Sequence, residues 1–407
     1  MKKIILMVSL VAFAMVSCNR DFVVAENQGS KIEFRTAVDT RATELTLNDI
    51  NEFCVTAFYE DGTQYFSEIF VLEGGFFVPE SGKEYYWPSD DNLYFYAYYP
   101  CDEAFRRGVV VTEERKSIPD FTPAEDIADQ LDFISAIKVT NKAASSNGVV
   151  LEFKHQLSQV EVQAKNTNKG YSVKVQAVRI NNVFASGDFD FTAPVTNWSV
   201  DDAITSYEVA YSDTYVKLAN AAVTLMGDSG NAMLIPQSRL AWGPEQDPAE
   251  EPSEINEHVE GDIPEGEGTP DEGGEPEDGD DVEETPAAPI TATDGVYIAF
   301  QIQVESSTGS RIFPVESAGD WGWVAVPVEI NWLGGYKYTY VCDFSEGLGV
   351  IAPEQNPDDD PDNPYNPGDN TVGGEVNVSV DFNSYNGSIW NNIDMETANP
   401  AEEEDNE

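Results

Sequence analysis

The sequence predicts an all-β protein, because hydrophobicity alternates along it and glycine-containing turns recur between the alternating runs. Residues 296–304 and 336–344 show the alternation most clearly, with apolar side chains at every second position. A period of two residues is typical of strands that are buried on one face. Helical periodicity is weak, and many short strands without intervening helices favour antiparallel β-sandwiches over parallel βαβ units.

Chain length and the distribution of these runs indicate two domains. The chain has 407 residues, which is enough for two domains of ordinary size and the linkers between them. We expect one β-sandwich over residues 42–148 and a second over residues 149–345. Turn residues such as Gly74-Gly75 and Gly334-Gly335 separate the strands within them.

The formal net charge of -52 is concentrated in a few segments. Residues 244–289 contain 19 Asp or Glu and no Lys or Arg, so we expect a disordered insertion that cannot bury enough apolar surface to offset chain entropy. Residues 346–370 are rich in Pro and Asp and predict a stiff spacer. Residues 371–407 hold one further strand-like run and an acidic tail. This acidity argues against nucleic acid and anionic membrane surfaces as partners.

The first eighteen residues predict export. Lys2 and Lys3 precede a short apolar run over residues 4–16. As a helix this run would span roughly 20 Å, less than the bilayer core of about 30 Å, so it is an export signal and not a membrane anchor. The end of this run and the two residues after it, Met15-Val16-Ser17-Cys18, resemble a lipobox in which Cys18 is acylated. The alternative is an ordinary signal followed by an incidental cysteine.

The remaining cysteines and the two histidines suggest no catalytic or metal site. Three cysteines remain after Cys18, which is an odd number for an exported chain, and they are Cys54, Cys101 and Cys342. Cys54 and Cys101 either form a disulfide or are buried free thiols. His155 and His258 belong to no evident catalytic triad, and the chain has no zinc motif and no phosphate-binding glycine loop. We therefore expect no enzyme activity and no cofactor.

Several short motifs, in this order along the chain, resemble the Bacteroidetes fimbrillin family of type V pilin-like lipoprotein precursors. They are Cys18, Ile32-Glu33-Phe34, Thr40-Arg41-Ala42, Tyr86-Trp87-Pro88, Phe153-Lys154-His155-Gln156-Leu157-Ser158, Leu234-Ile235-Pro236-Gln237 and Trp332-Leu333-Gly334-Gly335-Tyr336-Lys337-Tyr338-Thr339-Tyr340. Together they cover most of residues 18–345. The resemblance implies two transthyretin-like β-sandwich domains in tandem, export as a lipoprotein, cleavage by an arginine-specific protease, and polymerisation into a fimbria.

At the N-terminus, the resemblance implies three roles. Cys18 would be acylated and would hold the precursor in outer-membrane lipid. Arg41, followed by Ala42, would be the protease site, so that residues 19–41 are removed. The released segment contains a strand-like run that would be displaced from the fold, namely Ile32, Phe34 and Thr36.

At the C-terminus, the resemblance and the spacer together suggest a donated strand. Its apolar side chains would fill a groove in another fimbrial subunit, and they are Val376, Val378, Val380 and Phe382. The alternative is that this strand folds back into its own second domain. A different class of function is also open, a monomeric surface lipoprotein that binds glycans or host ligands. A mature chain that begins at Ala42 would favour the assembling subunit, whereas an acylated Cys18 retained on the whole chain would favour an anchor or a monomeric binder.

Overall fold

The computed structural model describes residues 31–36, 50–88, 90–193, 197–212, 214–226, 232–243, 291–315, 319–357 and 363–384. The chain divides into two compact units. Unit 1 comprises Met1–Ser117 and Phe133–Lys154, and unit 2 comprises Ile118–Asp132 and His155–Glu407. The described residues are almost entirely strands and turns, so the predicted all-β fold class is confirmed. The finer prediction of two transthyretin-like domains stays a prediction.

Unit 1 is built around a continuous, mainly antiparallel sheet. Its strands follow one another across the sheet in the order Ile134–Thr140, Leu93–Tyr99, Glu52–Phe58, Gln64–Glu73, Phe76–Pro79, Phe34–Thr36 and Val149–Leu151. A two-residue strand, Val110–Val111, pairs with the start of Lys116–Phe121, where the chain passes from unit 1 to unit 2. The helix Glu103–Gly108 begins after Asp102, whose carboxylate accepts hydrogen bonds from two first-turn amides.

Among the described residues, the core of unit 1 includes six phenylalanines that come from its strands. Phe53, Phe70 and Phe95 come from three neighbouring strands and are completely buried. Because alternate side chains of a strand point to the same face, the period-two pattern of the sequence delivers these rings to one side of the sheet. Cys54 and Cys101 form a disulfide, with their Cα atoms 5.6 Å apart, which decides the question that the sequence left open.

Among the described residues, unit 2 contains more strands than unit 1, and their lengths range from two to fourteen residues. In chain order after the strand Lys154–His155 they are Ser158–Lys165, Tyr171–Phe184, Gly187–Asp190, Trp198–Val200, Ile204–Ala210, Val216–Lys217, Val223–Met226, Ala232–Leu234, Ser238–Arg239, Ala241–Trp242, Thr291–Ala292, Tyr297–Ser306, Arg311–Phe313, Gly322–Pro327, Ile330–Asn331, Tyr336–Asp343, Val350–Ile351 and Asn377–Ser384. Short 3₁₀ helices lie at Ile127–Asp129 and Pro353–Gln355.

Two sheets of unit 2 face each other across one hydrophobic core. One sheet has the order Val223–Met226, Ser158–Lys165, Tyr336–Asp343, Asn377–Ser384. The other is centred on Tyr171–Phe184 and Tyr297–Ser306, which pair antiparallel over ten positions. The shared core includes Trp332, which is 2% exposed, and Cys342, which is a buried free thiol. Unit 2 is therefore a β-sandwich in which each sheet buries its alternate apolar side chains.

The structure differs from the expectations in three respects, which concern strand direction, the boundaries of the domains and the spacer. Ser158–Lys165 pairs parallel with Tyr336–Asp343, which is possible because a long stretch of chain separates the two strands. Residues 118–132 belong to unit 2, whereas residues 31–36 and 149–154 belong to unit 1. The described residues of the expected spacer form part of unit 2: the amide of Ile351 donates to the carbonyl oxygen of Asp369 at 2.8 Å. The acidic insertion 244–289 lies outside the described residues.

Candidate strand-exchange site

The N-terminal strand of unit 1, Phe34–Thr36, lies inside the sheet and not at its edge. It pairs antiparallel with Phe76–Pro79 on one side and parallel with Val149–Leu151 on the other. Ile32 extends this arrangement, because its amide donates to the carbonyl oxygen of Tyr85 at 2.7 Å. A strand with partners on both sides completes the sheet, so its departure would leave two unpaired edges.

Phe34 is the central side chain of this strand. It is 0% exposed, and its ring meets three core rings edge-on, with centroids 4.7 Å from Phe70, 5.2 Å from Phe95 and 6.1 Å from Phe53. Edge-to-face contacts of this kind add to the stabilisation that comes from burial alone. Ile32, two residues earlier, is also 0% exposed. Their side chains therefore occupy part of the core of unit 1.

Charged residues flank the buried side chains of the strand. Lys31 forms ion pairs with Glu33 at 3.3 Å and with Glu84 at 3.2 Å. The pKa of Lys31 is raised: desolvation lowers it, but the hydrogen bonds and charges of Glu84 and Glu33 outweigh that effect. Arg35 donates to the carbonyl oxygen of Asn147 at 3.3 Å. These partly exposed contacts orient the strand, and exposed pairs of this type each stabilise by about 1 kcal/mol or less.

The residues expected to be processed lie outside the described part of the chain. Cys18, Arg41 and Ala42 are among them, and Arg41 belongs to the segment 37–49 that joins the N-terminal strand to Ile50. Thr36 is the last residue of the strand Phe34–Thr36, with its Cα opposite that of Leu151. Of the three residues expected on the displaced strand, Ile32 and Phe34 therefore share the buried face, and Thr36 extends the backbone pairing.

The residues expected on the donated strand lie in a strand that the structure places on its own unit 2. Asn377–Ser384, the C-terminal strand, pairs antiparallel with the host strand Tyr336–Asp343 over eight positions. Val376 is 8% exposed, while Val378 and Val380 are half-buried against the core of unit 2. Phe382 lies opposite Tyr338 in the register. This is the fold-back arrangement that the sequence left open as the alternative to donation.

Burial changes the acidity of the side chains beneath the C-terminal strand. Tyr338 and Cys342 of the host strand lie opposite Phe382 and Val378. Desolvation raises the pKa of Tyr338 to about 12 and also raises the pKa of the Cys342 thiol. The thiolate is the reactive form of cysteine, so burial makes this thiol slow to react with reagents from the solvent.

Two contacts that hold the C-terminal strand were not anticipated from the sequence. Gly347 lies against the backbone at Gly374 and Glu375 with no room for a side chain. Tyr365, within the expected spacer, packs its ring 5.3 Å from that of Phe313. The clustering of glycines at 347, 349, 373 and 374 was the available signal of a tight backbone approach.

Neither a metal-binding cluster nor a membrane-spanning helix occurs among the described residues. In those ranges, three or more His, Cys, Asp or Glu side chains are nowhere grouped so that they could hold a metal ion. No helix in the same part of the chain is long and apolar enough to cross a membrane.

Comparison with known families identifies the chain. The model of the fimbrillin-like family matches residues 40–252, which is more than half of the chain. The chain belongs to the fimbrillin-like family. The resemblance inferred from the short motifs is thereby confirmed. No match was found among curated proteins.

Solved structures similar to this fimbrillin-like chain include proteins from Bacteroides, Parabacteroides and Porphyromonas species. A candidate cell adhesion protein from Bacteroides uniformis is 13% identical, covers 88% of this chain and 97% of its own, and has a TM-score of 0.39. One from Parabacteroides distasonis is 11% identical, covers 90% and 99%, and has a TM-score of 0.45. The fimbrial anchor protein Mfa2 from Porphyromonas gingivalis is 12% identical, covers 77% and 90%, and has a TM-score of 0.30.

Proposed function

We propose that this fimbrillin-like protein is a subunit of a cell-surface fimbria that supports adhesion and is joined to another subunit by strand exchange. It is exported to the outer membrane as a lipoprotein acylated at Cys18, and an arginine-specific protease then cuts after Arg41. Membership of the fimbrillin-like family supports a fimbrial, adhesion-related protein at the cell surface. The observation that carries the exchange step is the complete burial of Phe34 in a strand that cleavage would detach.

Cleavage after Arg41 would convert a covalent part of the fold into a separate peptide. Before cleavage, the strand is held by the chain as well as by its contacts. After cleavage, residues 19–41 are free to dissociate, and a second strand competes for the same place. Burial of side chains such as Ile32 and Phe34 stabilises by about 1.5–3 kcal/mol each, so the emptied groove strongly favours a replacement.

The geometry of the groove specifies the replacement strand. Its backbone has to pair with Phe76–Pro79 and Val149–Leu151 at once, because the N-terminal strand contacts both. Its apolar side chains have to recur at every second position, since Ile32 and Phe34 are two residues apart and both buried. An extended segment of another fimbrial subunit with this pattern meets both requirements.

Substitution of Arg41 tests this proposal. We expect chains sheared from the cell surface as part of a fimbria to begin at Ala42, and Arg41→Ala to leave the N-terminal segment attached and the subunit unassembled. N-terminal mass spectrometry of the sheared material measures the cut, and size fractionation measures assembly. Arg20→Ala, which alters an arginine in the same segment, is the control and should assemble as the unaltered protein does. Uncut chains in normal fimbriae would contradict the proposal.

A further inference from the structure

The chain enters the C-terminal strand through a close contact between two backbone segments. A Cβ built on Gly347 would lie 2.2 Å from the carbonyl oxygen of Glu375 and 2.4 Å from that of Gly374, distances that real Cβ atoms essentially never show. The amide of Gly349 donates to the carbonyl oxygen of Gly374 at 3.0 Å, and its own carbonyl accepts from Thr371 at 3.2 Å. We call residues 346–349 and 371–375 the glycine crossing. Gly347 fits there because it has no side chain.

The residues before the glycine crossing are also fixed to unit 2. The Tyr365 ring contacts Phe313, and its hydroxyl accepts a hydrogen bond from the amide of Val315 at 2.7 Å. The side chain of Asn363 donates to the carbonyl oxygen of Gln355 at 2.9 Å. The amide of Gly368 donates to the carbonyl oxygen of Ile351 at 2.8 Å. The described part of this segment is thus anchored at several points, unlike a free linker.

The C-terminal strand itself completes the contact with unit 2. Its register runs from Tyr336 opposite Ser384 to Asp343 opposite Asn377. Val378 lies opposite Cys342, which is 0% exposed, and Val380 lies opposite Tyr340, which is 2% exposed. Directly opposed residues on one face of an antiparallel pair contact each other, so these valines cover core side chains of the host strand.

From these three sets of contacts we infer that the subunit keeps its own C-terminal strand and does not donate it. The inference rests on the proposed function, because it decides which half of a strand exchange this chain performs. Donation would break the strand pairing, the glycine crossing and the Tyr365 contacts together. Unit 1 would accept a strand after cleavage, whereas unit 2 keeps the C-terminal strand of its own chain.

A subunit that accepts a strand without donating one cannot link copies of itself into a row. Its partner is a different fimbrial subunit, which supplies an extended strand with apolar residues at alternate positions to the groove left by Ile32 and Phe34. The chain accordingly occupies one end of an assembly. It does not form the repeating shaft.

A single cysteine substitution tests whether the strand stays in place. Val378→Cys places a second thiol opposite the native thiol of Cys342, and opposed positions of an antiparallel pair are within or close to disulfide reach. We expect mild oxidation to link the two thiols within one chain, both in the purified protein and in fimbriae sheared from cells. Electrophoresis under denaturing, non-reducing conditions separates monomers from dimers. Mass spectrometry of the non-reduced digest then shows whether the peptides that contain positions 342 and 378 are linked within the monomer band. Val378→Cys combined with Cys342→Ser is the control and should form no such link.

Other results of this experiment would contradict either the inference or the proposed function. Dimer-sized bands from sheared fimbriae that require Cys342 would show that the strand of one chain pairs with the host strand of another, and they would overturn the inference. A link in the purified protein that is missing from fimbriae would also overturn it, because the strand would have left its host. A failure to link in both samples would contradict the pairing itself. If no fimbriae form, the proposed function fails, while a link in the purified protein still supports retention of the strand.

The glycine crossing can be tested separately through Cys342. Gly347→Ala should loosen the C-terminal strand, and labelling of the Cys342 thiol by a maleimide should become at least about tenfold faster as local opening increases. Gly374→Ala is a matched control in the same crossing, because its φ of +88° causes strain but nothing lies within 4 Å of the added Cβ. Its labelling rate should rise much less. Equal rates for both variants would show that the close approach at Gly347 does not hold the strand.

Discussion

Replacing Phe34 by alanine is expected to destabilise unit 1 of the uncut protein by about 3–5 kcal/mol, the usual cost of removing a buried phenylalanine ring. The side chain is 0% exposed and contacts three core rings, so its removal leaves a cavity that the surrounding sheet cannot easily fill. Hydrogen exchange of the amides in Leu93–Tyr99, a central strand of unit 1, measures the loss.

A control variant and a second measurement distinguish the effect of Phe34→Ala on stability from any effect on assembly. Leu72→Ala in the same unit changes a side chain that is 47% exposed, and it should alter stability by about 0.5 kcal/mol or less. Cleavage after Arg41 removes residue 34 altogether, so the cut forms of Phe34→Ala and of the unaltered protein have the same sequence. They should therefore accept a partner strand equally well. Normal stability of uncut Phe34→Ala would show that the N-terminal strand is not part of the core.

Alternation in the sequence was sufficient to predict the strands that matter for the site. Ile32 and Phe34 are apolar residues two positions apart, and the structure buries both. Val376, Val378 and Val380 show the same spacing and face the core of unit 2. A period of two residues is a local property, so it can be recognised without knowledge of the neighbouring strands.

Partners that are distant in the sequence could not be predicted in this way. The placement of Phe34–Thr36 depends on one partner 43 residues away, at Phe77, and on another 115 residues away, at Val149. The Pro and Asp content of residues 346–370 favours an extended chain when neighbours are ignored, and it led to the expectation of a free spacer. Tyr365 and Phe313 reverse that expectation, since packing against a distant ring outweighs local composition. The disulfide between Cys54 and Cys101 was likewise undecided, because spacing does not determine pairing.

Removal of residues 371–407 is expected to lower the free energy of unfolding of unit 2 by about 3–6 kcal/mol, given the apolar surface that the C-terminal strand buries. Val376 is 8% exposed, and Val378 and Val380 are half-buried, so all three would leave apolar surface uncovered. The host strand Tyr336–Asp343 would also lose its partner on one side and become the edge of the sheet. Urea-induced unfolding of the truncated and complete chains measures the difference.

A shorter truncation identifies which part of residues 371–407 stabilises unit 2. Removal of residues 385–407 alone keeps the whole strand Asn377–Ser384 and should leave the stability of unit 2 nearly unchanged. The longer truncation should also increase maleimide labelling of Cys342, whose thiol is buried opposite Val378. If both truncated chains were as stable as the complete one, the strand would be dispensable to its own unit. That is the behaviour required of a strand destined for another subunit, and donation would then be the better explanation of its alternating valines.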